Sequence, residues 1–179
     1  MVELIDNFFG SIAWDIREPP AQICVYTHKP ATGNGSVYTT PPQIVNIFSD
    51  KAPKEVKDAL EAKLPLVPKK INIPILPYRD TYTIDSNFTE QITVKTLLEA
   101  IYNVYQKEIC PEDITNILAS CEADINSHKC LKDHLDELKL SNTKVRLHDF
   151  LLTNSGRSYT KFIHLEYSTN EWELFLTIF

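Results

Sequence analysis

The chain has no surplus of basic residues, no long apolar run and few glycines, and each shortage removes a class of function. Lysine and arginine number 18 against 24 acids, giving a net charge of −6. Divided at residue 90, the halves carry 9 basic and 11 acidic residues, then 9 and 13, so neither has the positive excess that phosphate binding draws on. No nucleic acid is expected as a partner, and the neighbours Lys69 and Lys70 read as a solvated turn. No run of about eighteen apolar residues occurs, so no membrane-spanning helix is expected. Met1-Val2-Glu3-Leu4-Ile5-Asp6 places acids where an export or transit signal is basic or apolar; the expectation is a soluble, intracellular protein, cytoplasmic by default. Cys24, Cys110, Cys121 and Cys130 lack the close spacing of a disulfide framework and are expected as free thiols. Two of the four glycines, Gly33 and Gly35, share one polar loop. A Gly-x-Gly pair with neither a third glycine nor a helical pattern after it makes no phosphate cradle.

What is present suffices for one core. The 179 residues are 43% hydrophobic and 10% aromatic, which predicts a single domain over 1–179. Strands are expected over 11–16 and 22–27, separated by Pro19-Pro20, and over 44–48. Pro53 suits the first position of a helix whose apolar stripe is Val56, Ala59, Leu60 and Leu64. The stretch 71–78 is extended but punctuated by Pro74 and Pro77, so it belongs on a sheet edge or in a crossing. Thr93 caps the clearest helix, with Val94, Leu97, Leu98, Ile101, Val104 and Tyr105 on one face. Pro111-Glu112-Asp113 opens another, and a third is expected over 127–138. Strands over 144–152, 160–167 and 171–179 then form an antiparallel meander. The predicted fold class is α+β: a mostly antiparallel sheet built from both chain ends, with the helices of residues 93–138 packed on one face.

Four fragments carry a resemblance: Trp14-Asp15-Ile16 with Pro19-Pro20; Thr93-Val94-x-x-Leu97-Leu98-x-Ala100-Ile101-Tyr102; Arg146-x-x-Asp149-Phe150-Leu151; and Trp172-Glu173-Leu174. In this order the chain resembles an uncharacterised domain family met mainly in fungal proteins. Thr96 stands where that pattern usually has an acid. The family has no assigned activity, so the resemblance implies a fold unit and no catalytic residues.

The chemistry-bearing residues are sparse. Cys121, His128, Cys130 and His134 lie within fourteen residues, and Cys130 and His134 share a helix face as two zinc ligands do. A buried Cys121 and exposed histidines explain the same residues, so no metal is assigned. His148 and Asp149 are a base and an acid, but on a strand adjacent side chains point to opposite faces; Asp149 is then left to pair with Arg146 or cap a turn. His164 is placed to meet either of them across the ladder. The functional expectation is a non-catalytic protein-interaction or structural module without cofactor. A protein partner is expected along the proline-rich segment, at Pro74, Pro77 and Tyr78. The alternatives are a small Cys/His-dependent hydrolase or transferase, and a zinc-stabilised binding module.

Overall fold

A computed structural model describes residues 2–27, 43–65, 67, 70–74, 81–85, 90–120, 125–151, 160–168 and 171–177. The chain enters through helix α1, Val2–Ser11, on which Ile5, Phe8 and Phe9 recur at helical spacing and are buried. The sequence reading gave no element there. Helix α1 runs without a loop into strand β1, Ile12–Asp15, and the Ser11 hydroxyl closes the helix end on the Phe8 carbonyl at 2.8 Å. Strands β2 (Cys24–Thr27) and β3 (Gln43–Asn46) follow, then helix α2 (Lys54–Glu61), with Pro53 at its N-cap, one position earlier than expected. Strand β4 (Lys70–Pro74) pairs with β5 (Thr81–Asp85), a strand the sequence reading missed.

Helix α3 spans Val94–Tyr105, and Thr93 caps it as expected, its Oγ1 accepting the Thr96 N–H at 3.2 Å. Helices α4 (Pro111–Ser120) and α5 (Ile125–Leu140) complete the helical segment. Strands β6 (Lys161–Ser168) and β7 (Glu171–Thr177) form the C-terminal hairpin.

The expected strand over 144–152 is not a strand. Residues Leu147–Phe150 form a 3-10 turn because Asp149, three residues after Arg146, accepts the Arg146 N–H at 2.7 Å and ends the extended stretch. The place the meander reserved for it, beside β6, is taken by β1.

The seven strands lie in the order β3-β2-β1-β6-β7-β4-β5, antiparallel throughout except for β4 and β7. The sheet is thus mostly antiparallel and drawn from both chain ends, and the fold is α+β. Strand β1 divides its four residues between two neighbours: Ile12 and Ala13 stand opposite Val25 and Cys24 of β2, and Trp14 and Asp15 opposite Phe162 and Lys161 of β6. The core-facing residues of β1, β2 and β6 are buried in one cluster with Leu97, Leu98 and Ile101 of α3 and Leu131 and Leu135 of α5.

Pro74 sits inside the sheet without breaking it. Its strand is flanked on both sides, but the parallel ladder with β7 ends at Asn72, and Pro74 opposite Thr81 is the last pair of the ladder with β5. Its carbonyl accepts the hydroxyl of buried Tyr105 at 2.8 Å, which ties α3 to this end of the sheet.

Phe162 joins three elements, its ring 6.0 Å from those of both Phe9 and Trp14. Phe162→Ala is expected to lower unfolding free energy by about 3–5 kcal/mol, the usual range for truncating a buried aromatic, as read from the midpoint of denaturant unfolding.

Candidate functional site

The polar side chains concentrate where the 3-10 turn meets α3, α5 and the end of β1. Asp149 holds the centre. One carboxylate oxygen, Oδ2, accepts the Arg146 N–H, while Oδ1 lies 3.5 Å from His148 Nε2 and 3.7 Å from His134 Nε2. The sequence reading kept His148 and Asp149 apart on the assumption of a strand; a 3-10 turn bends the backbone between them so that both side chains reach the same spot. Arg146 donates to the Gln106 side chain at 2.6 Å, and Gln106 in turn donates to the Arg17 carbonyl at 3.4 Å.

His148 uses both ring nitrogens. Nδ1 is 3.1 Å from the Tyr105 carbonyl, which can only accept, so Nδ1 carries the hydrogen in the neutral ring. Nε2 lies 3.5 Å from Asp149 Oδ1 and can donate to it only when the ring is protonated, which is why the Asp149 charge favours the charged form. Burial lowers the His148 pKa below its ordinary value; the Asp149 charge and the Tyr105 carbonyl work to raise it, and the Arg146 and Arg17 charges add to the lowering. Through these two contacts the His148 ring bridges the 3-10 turn and the last residue of α3.

Asp15 anchors the second half of the cluster. Its carboxylate accepts Arg17 Nε at 3.0 Å and Nη2 at 2.6 Å, the Arg17 backbone N–H at 3.1 Å and the Thr160 hydroxyl at 3.2 Å. Burial works to raise its pKa, but the Arg17 hydrogen bonds and charge, with the Thr160 bond, outweigh that and hold it below the ordinary carboxylate value. Beside it the Trp14 Nε1–H donates to the Glu18 carbonyl at 2.9 Å, fastening the turn after β1.

The residues expected as zinc ligands are only partly brought together. Cys130 and His134 share α5 as predicted, but His134 turns to Asp149. Cys121 and the side chain of His128 lie outside the described residues, and among the described residues no group of three or more His, Cys, Asp or Glu side chains is arranged to hold a metal ion. His164 stands opposite Phe175 at a register break in β6, and no ladder connects it to the 148–149 turn; its side chain lies outside the described residues. Pro77 and Tyr78 do as well. Among the described residues no helix is long and apolar enough to cross a membrane.

A cleft of about 290 Å³ is lined by Glu108, Pro111, Ile114, Asn142 and Val145. Lys144, paired with Glu108 at 2.7 Å, lines it as well, and His148 and Asp149 do not.

The outer face of the sheet carries a feature the sequence reading passed over. Tyr26 and Ile44 stand opposite each other on β2 and β3 and are 44% and 63% exposed, and Ile163 is exposed on β6. Their neighbours Val25 and Phe162 point the other way into the core. Phe48, 42% exposed, follows β3 with the Lys95 ammonium 5.7 Å above its ring. Tyr26 follows buried Val25 on β2, whereas Ile44 stands between exposed Gln43 and half-buried Val45 on β3.

Comparison of the chain with protein-family models, curated proteins and solved structures finds no match.

The two titrations separate by pH. His148 has its folded pKa below the unfolded value of about 6.5, so the unfolded chain takes the proton first and stability is full above that pH and falls below it. Asp15, also lowered, contributes stability that is full above about pH 4 and lost as the pH drops through its folded pKa. Unfolding free energy measured against pH is expected to show both declines, with His148→Gln flattening the upper one and Asp15→Asn the lower one.

Proposed function

We infer that this chain is a non-catalytic protein-interaction or structural module, and that the outer face at the β2–β3 end of the sheet is the surface it offers. The observation that supports this is the exposed cross-strand pair of Tyr26 and Ile44, beside the end strand of the sheet. An aromatic and a β-branched side chain facing each other in water have a strong drive to be covered, and aromatic anchors with apolar neighbours are typical of binding hot spots. The polar cluster supports the same reading from the other side, since Asp15, Asp149 and His148 bond to turns and strand ends. Pro74, Pro77 and Tyr78 are kept as the further contact expected from the sequence. The proposal extends to the mainly fungal domain family that the chain resembles, to which no activity is assigned.

The test is affinity capture of the full chain from its own cells at moderate salt, with Ile44→Asp run in parallel. Bound proteins retained by the original chain and released by the variant, with thermal unfolding unchanged, are the expected result. Capture that the substitution leaves untouched removes this surface from the reading.

A further inference from the structure

We draw no further inference here: the strongest candidate, the end strand β3 with the exposed Tyr26–Ile44 pair on the outer face of the sheet, belongs to the surface already described, and nothing in the structure shows what covers it.

Discussion

Four residues, Ile12–Asp15, hold the two parts of the sheet together by main-chain bonding. Strand β1 gives two positions to β2 and two to β6, so among the described strands it is the one that joins the β1–β2–β3 part to the β6–β7–β4–β5 part, with the Ile16 N–H adding a bond to the Thr160 carbonyl. So short a ladder contributes little by itself, and side chains reinforce it on both faces. On the core face, Trp14 and Phe9 pack on Phe162. Toward the rim, Asp15 gathers Arg17 and Thr160, and Thr160 immediately precedes β6. The same carboxylate thus fixes the turn after β1 and the approach to its second partner. Neither bond is available if the strand slips by one residue, which would also carry Trp14 to the opposite face.

The polar network that grows from this joint bonds one element to the next. Arg17, Gln106, Arg146 and Asp149 link the loop after β1 to the end of α3 and to the 3-10 turn. His148 fills the gap between that turn and the Tyr105 carbonyl. A half-satisfied network of this kind costs more than an apolar contact, whereas a satisfied one selects a single arrangement. Each side chain described in it has at least one defined partner.

Much of this was legible in the residues. The stripe from Val94 to Tyr105 and its Thr93 cap, the Pro111 helix start, the hairpin of β6 and β7, and the drawing of one sheet from both chain ends all follow from periodicity and capping. Two failures have separate causes, the first being that local pattern does not say what a segment will pair with. The apolar run through Leu147 and Phe150 looks like a strand, but Asp149 bonds back to Arg146 and closes a turn; β1, remote in sequence, takes the vacant position. Helix α1 was missed although Ile5, Phe8 and Phe9 have helical spacing, because its stripe continues into Ile12 of the following strand with no breaker between them. As for the site, His148 and Asp149 were identified as residues and misjudged as a pair, since their mutual orientation depends on the backbone between them. The Tyr26–Ile44 pair exists only once β2 and β3 are in register.

The parallel pairing of β4 with β7 has a consequence for how the molecule is made. Ile71 lies opposite Trp172, so all three later helices and β6 are synthesised between the two partners. Strand β7 sits in the interior of the sheet yet follows every other strand out of the ribosome. Until it arrives, the β4–β5 hairpin lacks, among the described residues, its ladder to the rest of the sheet and leaves an edge of β4 unpaired. Such distant pairing makes closure slow relative to helix formation. The last pairing to form is thus the one that seats the hairpin in the sheet.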